Sequence, residues 1–254
     1  MRNFKNHQQR PKKNTLVVGR EAVIEALEGA KQLEKIYLQQ NVSGELIEKI
    51  KTLANDSGVP IHKVPVEKIN NFNVYNHEGC VGQISRISYQ KLQDVISIIV
   101  EEGSTPLFLI LDGITDIRNI GALARSASAL GVQAIIIPEK GVGVLNEDAI
   151  HTSAGALEQL YVCRVKSLMQ AVDELHLNGI NVFASEMTAA KKLSEMDFSI
   201  PSAIVMGGEE NGVYPALMKI CDESFAIPMM NDFESLNVSV ATGIILYHAL
   251  LTRS

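Results

Sequence analysis

Three polar loops in the second half of the chain carry the side chains best suited to chemistry. The first follows the apolar run 107–111 and contains Asn119 and Arg125, an amide and a guanidinium that can bind a ligand or a phosphate group. Asn119 stands where a helix is predicted to begin, so a plain helix cap is an alternative interpretation. Arg125 lies six residues further on, and an ordinary exposed helix arginine is the alternative for it.

The second loop is Gly-Gly-Glu-Glu-Asn-Gly at residues 207–212, directly after another apolar run. Gly207 lets the backbone approach a ligand closely, and Glu209 can hydrogen-bond to a ligand, to RNA or to neighbouring backbone N–H groups. The alternative is a polar turn built on Asn211-Gly212, a common turn dipeptide.

The third loop begins at Ile227 and leads into a long apolar segment, 236–251. Ser235 is a candidate cap for the helix predicted there, whereas Asn237 falls within its first turn. Because this helix is apolar on nearly every side, we expect it to be buried on several sides.

Short apolar runs alternating with helical stretches predict a parallel sheet covered on both faces, over residues 107–254. The predicted strands are 107–111, 134–137, 181–184, 203–206 and 224–227. The predicted helices are 120–130, 167–178, 215–221 and 236–251. Ligands of open parallel sheets gather at the carboxyl ends of the strands, where all three polar loops lie.

The region upstream is predicted to be a separate α/β module spanning residues 15–86. Its predicted helices are 20–27, 45–54 and 66–72, and its predicted strands are 35–38, 61–64 and 81–84. Residues 87–106 are interpreted as a helix followed by a polar linker.

The charge of the chain is unevenly distributed. Net charge is −6, but the first 14 residues carry +5 without an acid, so the remainder carries −11. The basic residues of this arm are Arg2, Lys5, Arg10, Lys12 and Lys13. A short basic arm on an acidic body fits a phosphate-seeking tail, and a disordered solubilising terminus is the alternative. Any RNA contact of the acidic body must be local.

Three widely spaced cysteines, Cys80, Cys163 and Cys221, argue against a disulfide framework and for a reducing compartment. The histidines form no ligand-spaced cluster, so no metal is expected. No apolar run approaches membrane-spanning length and the N-terminus is a poor signal peptide, so we expect a cytoplasmic protein without a membrane partner.

The three loops, in this order and spacing, resemble the signature motifs of the SpoU/TrmH RNA ribose methyltransferases. The first motif is matched by Asp116, Asn119, Gly121 and Arg125, the second by Gly207, Glu209 and Gly212, and the third by residues 235–238. Residues 153–156, Ser-Ala-Gly-Ala, also resemble a segment of the family. Upstream, residues 18–23 and 76–79 are similar to the RNA-binding domain of the family's large-subunit rRNA guanosine methyltransferases, and such domains resemble RNA-binding ribosomal proteins.

This resemblance implies an α/β fold with a C-terminal trefoil-knotted methyltransferase domain, preceded by a small α/β RNA-binding domain. Periodicity alone does not predict a knot, since knots are rare among folds. The resemblance also implies a homodimer whose active site uses residues of both subunits.

The resemblance further implies S-adenosylmethionine as cofactor, contacted mainly through backbone groups at Gly207, Ile227 and Leu236. The catalytic or substrate-facing set of the family is matched by Asn119, Arg125, Glu209, Ser235 and Asn237. We interpret Arg125 as the residue that binds the phosphate beside the target ribose, because a guanidinium almost never loses its proton and is a poor base.

The implied reaction is methylation of a ribose 2′-hydroxyl in large-subunit (23S) ribosomal RNA, with a guanosine as the expected nucleotide. A tRNA ribose methyltransferase is one alternative, since it would share all three motifs. A non-catalytic RNA-binding assembly factor on the same fold is another, although a pure binder has no need of the polar set.

Overall fold

The computed structural model of the chain describes residues 15–29, 32–143, 145–208, 211–230 and 235–253. The basic arm of residues 1–14 lies outside the described residues. The chain divides between Arg86 and Ile87 into two compact units.

The first unit is a four-stranded mixed sheet with helices. In chain order its elements are β1 (Leu16–Val18), α1 (Arg20–Glu28), β2 (Leu33–Gln39), α2 (Glu45–Asp56), β3 (Ile61–Val64), α3 (Val66–Asn70) and β4 (Cys80–Ile84). The strand order is β1-β4-β2-β3, with β2 and β3 parallel and the other pairs antiparallel. Helices α1 and α2 contribute Val23, Ile47 and Ile50 to a core with Ile36 and Leu38 of β2, which fixes them on one face of the sheet.

The second unit is built on an eight-stranded sheet in which every paired strand is parallel to its neighbour. The strands are β5 (Tyr89–Gln90), β6 (Leu107–Asp112), β7 (Ala134–Pro138), β8 (Tyr161–Val165), β9 (Asn181–Ser185), β10 (Lys191–Lys192), β11 (Ser202–Gly207) and β12 (Glu223–Ala226). The helices are α4 (Leu92–Glu101), α5 (Ile117–Ala129), α6 (Glu147–Thr152), α7 (Ala156–Gln159), α8 (Leu168–Leu177), α9 (Pro215–Met218) and α10 (Val238–Arg253). The strand order is β10-β12-β9-β11-β6-β7-β8-β5, so the predicted parallel α/β sheet is confirmed.

Successive side chains of the central strands enter two separate cores, one on each face of the sheet. In β6, Leu109 packs with the core that includes Leu123 of α5, whereas Phe108 packs with the core that includes Val172 of α8. All five residues of 107–111 are buried, which is why the strand is a continuous apolar run instead of an alternating one.

Residues 87–106 contain the predicted helix, which is α4, and they form part of the second unit. Strand β5 pairs with β8 at the sheet edge, and α4 buries Val95, Ile96 and Ile99 in the core. Only residues 103–105 fit the polar linker, because the preceding helix is amphipathic and packs against the sheet.

The expectation that the C-terminal helix is buried on several sides is wrong for the single chain. One face of α10 packs against α5 through residues such as Ile245 and Leu246, which are fully buried. The other face leaves Val240 and Ile244 with 52% and 40% of their surface exposed. The helix has two apolar faces, and only one of them is covered within the chain. No helix among the described residues is long and apolar enough to cross a membrane.

Candidate active site

The carboxyl ends of neighbouring strands place the candidate residues at one edge of the second unit's sheet. Gly207, the last residue of β11, pairs in register with Asp112, the last residue of β6. On the other side of β11 lie β9 and then β12, and the register places Gly207 level with Ala226. Ile227 follows Ala226 and therefore lies two strand spacings from Gly207, which is about 10 Å.

Hydrogen bonds hold the loop after β11 against the end of β6. The N–H of Gly212 donates to the carbonyl of Gly208 at 2.9 Å, which closes the loop on itself. The carboxylate of Asp112 accepts from the N–H of Tyr214 at 2.7 Å, across 102 positions of the chain. Asp112 is a structural member of the site that the motifs did not assign. A polar residue ending a buried strand is the signal that could have identified it.

The conformation of this loop requires glycine at Gly207. A Cβ atom added there would lie 2.1 Å from the carbonyl carbon of Gly212 and 2.2 Å from the nitrogen of Val213. The space beside Gly207 is thus filled by the loop itself and not left open for a ligand. At Gly113 and Gly212, in contrast, an added Cβ would meet no atom of the described residues within 4 Å. The described residues therefore leave the backbone accessible at these two glycines.

Asn119 and Asn237 meet although 118 residues separate them. The side-chain nitrogen of Asn237 donates to Oδ1 of Asn119 at 3.2 Å. Oδ1 of Asn237 accepts from the backbone N–H of Ser239 at 2.9 Å and from its hydroxyl at 2.6 Å. The first and third predicted loops therefore converge, and the orientation of both amides is fixed by these bonds.

Both helix caps differ from the simple alternatives considered for the sequence. Helix α5 is capped by Asp116, whose Oδ1 accepts from the N–H of Arg118 at 2.9 Å, and Asn119 lies inside the first turn. Asn237, and not Ser235, immediately precedes α10 and bonds to the N–H of Ser239. Hydrogen bonds from the Arg118 side chain and backbone hold the pKa of the Asp116 carboxyl below its usual value, so the cap stays ionised.

Arg125 is exposed on α5, six residues and about 9 Å along the helix axis from Asn119. Its guanidinium has no hydrogen-bond or ion-pair partner among the residues that the structure describes. The structure thus joins Asn119 with Asn237 and does not bring Arg125 into contact with either.

Gly121 of the first motif serves the packing of two helices. A Cβ there would lie 2.6 Å from the Cβ of Thr152 and 2.8 Å from the carbonyl oxygen of Ala149, both on α6. Ser153, which follows α6, is almost completely buried and donates to the carbonyl of Ile150 at 2.8 Å. Helix α6, which precedes the Ser-Ala-Gly-Ala segment, therefore packs against α5, which carries the candidate polar residues.

The remaining predicted site residues are placed as follows. Ile227 is half-buried and packs against the same core as α5, Leu236 is half-buried before α10, and Ser235 is exposed. Glu209 lies outside the described residues, so its predicted role stays a prediction.

The cysteine thiols offer no nucleophile at neutral pH. Burial raises the pKa of Cys80 and of Cys163 to about 12, and that of Cys221 to about 11. Within the described part of the chain, no three His, Cys, Asp or Glu side chains are grouped so that they could hold a metal ion.

Two family models match the two units. The model of the SpoU rRNA Methylase family matches residues 106–247, and the model described as RNA 2′-O ribose methyltransferase substrate binding matches residues 16–90. The chain belongs to the SpoU rRNA methylase family and is an RNA 2′-O-ribose methyltransferase. The trefoil knot is an expected feature of this fold.

Individual relatives agree with this assignment. YacO of Bacillus subtilis, named as a TrmH family tRNA/rRNA methyltransferase, is 32% identical over 94% of this chain and 96% of its own. The AdoMet-bound rRNA methyltransferase of Sinorhizobium meliloti has a TM-score of 0.55 at 20% identity, covering 92% of this chain and 86% of its own. The TrmH/SpoU tRNA modifying enzyme of A. aeolicus has a TM-score of 0.52 at 27% identity, covering 64% of this chain and 84% of its own.

Proposed function

We propose that the chain methylates a ribose 2′-hydroxyl of large-subunit (23S) ribosomal RNA, with a guanosine as the target. The observation that carries the proposal is the contact between Asn119 and Asn237, which joins the first and third motifs beside the strand ends of a SpoU fold. The cofactor is S-adenosylmethionine, which when bound supplies an electrophilic methyl group.

The cofactor is held by backbone groups at Gly207, Ile227 and Leu236. Support comes from the register, which sets Gly207 and Ile227 about 10 Å apart at one sheet edge. Ligands of parallel sheets occupy this edge, because the strand-end loops converge there.

The polar residues hold the RNA and assist removal of the hydroxyl proton. Arg125 binds the phosphate beside the target ribose with its fork of donors, and the phosphate accepts the proton while Arg125 holds it in place. Asn119 and Glu209 orient the ribose or the flipped-out nucleotide, and Ser235 and Asn237 complete the substrate-facing set. Methyl transfer requires that the methyl donor and the hydroxyl are held close together and in line, with water excluded. These polar residues position the hydroxyl for that reaction.

The choice of rRNA over tRNA rests on the first unit. The A. aeolicus tRNA modifying enzyme covers 64% of this chain, about the extent of the second unit, whereas the S. meliloti rRNA methyltransferase covers 92%. A tRNA substrate is the second candidate, because YacO is named as a tRNA/rRNA methyltransferase. A non-catalytic assembly factor is disfavoured by the intact polar set.

The choice between the two RNA substrates is tested by incubating the protein with labelled S-adenosylmethionine and either ribosomal RNA or tRNA. The labelled nucleotide is then mapped. We expect one guanosine of large-subunit rRNA to carry the label. Incorporation into tRNA alone would overturn the substrate assignment but leave the reaction class standing.

Removal of the first unit should separate selectivity from cofactor binding. A protein beginning at Ile87 keeps β5 and α4, which the core of the second unit needs. We expect this truncated protein to bind S-adenosylmethionine with unchanged affinity and to lose its preference for rRNA over tRNA in competition binding. Retained selectivity would locate RNA recognition in the second unit.

Deletion of residues 1–14 alone should weaken the binding of all RNA sequences alike. The arm carries five positive charges, and removing one of its pairings with a single-strand phosphate lowers the log–log salt slope by about 0.7. Binding isotherms at several salt concentrations measure this slope. An unchanged slope would identify the arm as a solubilising terminus.

We also propose a homodimer that buries the uncovered face of α10. The apolar stripe on that face, with 40–57% of the surface of each residue exposed, consists of Val240, Ile244, Tyr247 and Leu251. Their spacing of four, three and four residues places them on one side of the helix. A site shared between subunits also accommodates Arg125, which meets no described partner in its own chain.

The dimer is tested by Tyr247→Glu, with Val100→Glu, at an exposed position of α4, as a matched control. A charge in the centre of an apolar interface is costly to bury, so Tyr247→Glu should sediment as a monomer at micromolar concentration and lose methyl transfer. Val100→Glu should sediment as the wild type does. A wild-type protein that is monomeric and fully active would contradict an active site shared between two subunits.

A further inference from the structure

The loop of residues 73–79, which joins α3 to β4 in the first unit, has an unusual backbone. Asn73, Asn76 and Glu78 have φ angles of 53°, 55° and 48°, followed by Gly79 at 73°. Asparagine tolerates the left-handed region, but a glutamate there is uncommon. Such residues persist only where surrounding contacts determine the conformation, and they concentrate at ligand-binding sites.

Several contacts determine this conformation. The Nε of Arg20 donates to the carbonyl of Glu78 at 2.9 Å, and the N–H of Cys80 donates to the carbonyl of His77 at 2.7 Å. His77 is held on both sides, because its Nδ1 accepts from Gly79 N–H at 3.0 Å while its Nε2 lies 2.9 Å from Oδ1 of Asn70. Since Nδ1 is an acceptor, Nε2 carries the ring proton and donates it to Asn70.

This fixed loop presents Tyr75 to solvent with 89% of its surface exposed. A tyrosine this exposed contributes little to the packing of the unit, whereas the preceding residue, Val74, packs against the small core that contains Val64 and Val81. The loop is thus anchored beside the position at which it displays an aromatic ring.

A cationic cluster lies beside the small core that anchors this loop. The Nζ atoms of Lys35 and Lys68 stand 5.5 Å and 6.0 Å from the ring centroid of Tyr37. The ring of Phe72 packs 4.9 Å from the Tyr37 ring, and Phe72 and Val74 belong to the same small core as Tyr37. The ammonium groups are therefore linked through packed side chains to the start of the Tyr75 loop.

Unpaired nucleotides are bound by exposed aromatic rings, on which bases stack, together with ammonium groups that pair with phosphates, and the first unit carries both. We propose that Tyr75 stacks on an unpaired base of the RNA substrate while Lys35 and Lys68 contact its phosphates. This proposal deepens the proposed function by naming single-stranded RNA as what the first unit recognises. A preformed loop lowers the entropy cost of such binding.

The two contributions separate in an experiment on the full-length protein. Binding of a labelled unstructured oligoribonucleotide is measured by fluorescence anisotropy at several salt concentrations, together with its duplex form. Tyr75→Ala should weaken single-strand binding roughly tenfold with an unchanged salt slope, because stacking releases no counterions. Tyr75→Phe should bind as the wild type does, and duplex binding should be unaffected by either change.

Lys68→Ala should lower the salt slope by about 0.7. Lys49→Ala is its matched control, because Lys49 lies on α2, which packs against the other face of the sheet. The salt slope of Lys49→Ala should equal that of the wild type. Leu177→Ala serves as the control for truncation of an exposed apolar side chain, with 88% of Leu177 exposed.

Unchanged single-strand affinity of Tyr75→Ala would overturn the proposal, as would equal weakening by Tyr75→Phe or equal loss of duplex binding. Thermal unfolding and cofactor affinity must match the wild type, which shows that the variants are folded. When the RNA concentration is varied, Tyr75→Ala should show a raised KM for RNA and the kcat of the wild type. A wild-type protein that binds RNA by stacking but transfers no methyl group would refute the proposed function and leave this inference standing.

Discussion

Replacement of Arg125 by alanine should abolish methyl transfer and leave cofactor binding nearly unchanged. Loss of a well-placed charged contact in the transition state costs about 2–4 kcal/mol, or roughly a hundredfold or more in rate. Arg125 is exposed on α5, about 9 Å along the helix axis from Asn119, which supports a contact with RNA instead of the cofactor. Single-turnover rates and calorimetry with S-adenosylmethionine measure the two properties separately.

Two further variants sharpen this test. Arg125→Lys should rescue poorly, since a lysine ammonium lacks the bidentate fork that matches a phosphate. Arg118→Ala is the matched control on the same helix: Arg118 forms an exposed ion pair with Asp116 at 3.2 Å, which is worth little. Near-wild-type turnover of Arg125→Lys would show that charge alone matters. If Arg118→Ala and Arg125→Ala lost the same amount of methyl-transfer rate, Arg125 would have no specific role.

Gly207→Ala should strongly weaken cofactor binding, although it adds a single methyl group. That methyl would collide with the backbone of Gly212 and Val213, so the loop after β11 must rearrange. Forcing extra volume into a packed site costs about 1–3 kcal/mol, which corresponds to roughly 5- to 150-fold in affinity if the native loop is what binds. Calorimetry measures the affinity.

The matched control is Gly243→Ala in α10. Of the described residues, a Cβ there would meet only Ser126, whose hydroxyl oxygen lies at 4.0 Å, and alanine is favoured over glycine in a helix. Gly243→Ala should bind the cofactor as the wild type does. If a folded Gly207→Ala protein also bound normally, the cofactor would have to lie away from this loop.

Much of the fold could be predicted because the buried strands are continuous apolar runs. Strand β3 agrees with its predicted bounds, and β6 and β9 extend by one residue. Strand β8 was missed because it carries Arg164, whose guanidinium stacks 3.4 Å from the ring centroid of Tyr89 on β5. A sequence pattern does not reveal that a neighbouring aromatic ring will cover a charged side chain.

The site itself was only partly predictable. Motif spacing identified Asn119 and Asn237, but their hydrogen bond arises from the packing of α10 against α5, which no local pattern encodes. The hydrogen bond between Asp112 and Tyr214 likewise joins residues far apart in the chain, so no local pattern encodes it. The exposed face of α10 was missed because hydrophobicity alone does not distinguish a helix face covered within the chain from one available to a partner.

The proposed roles of the site residues depend first on where the methyl group is placed. Methylation of a 2′-hydroxyl removes the nucleophile that cleaves the neighbouring phosphodiester in alkali, whereas methylation of a base does not. The direct measurement is therefore alkaline hydrolysis of rRNA labelled by the wild-type protein with methyl-labelled S-adenosylmethionine. We expect the label to be recovered in an alkali-stable dinucleotide that begins with guanosine. Release of the label in a mononucleotide would show that a base is methylated and would contradict the ribose chemistry assigned to this site.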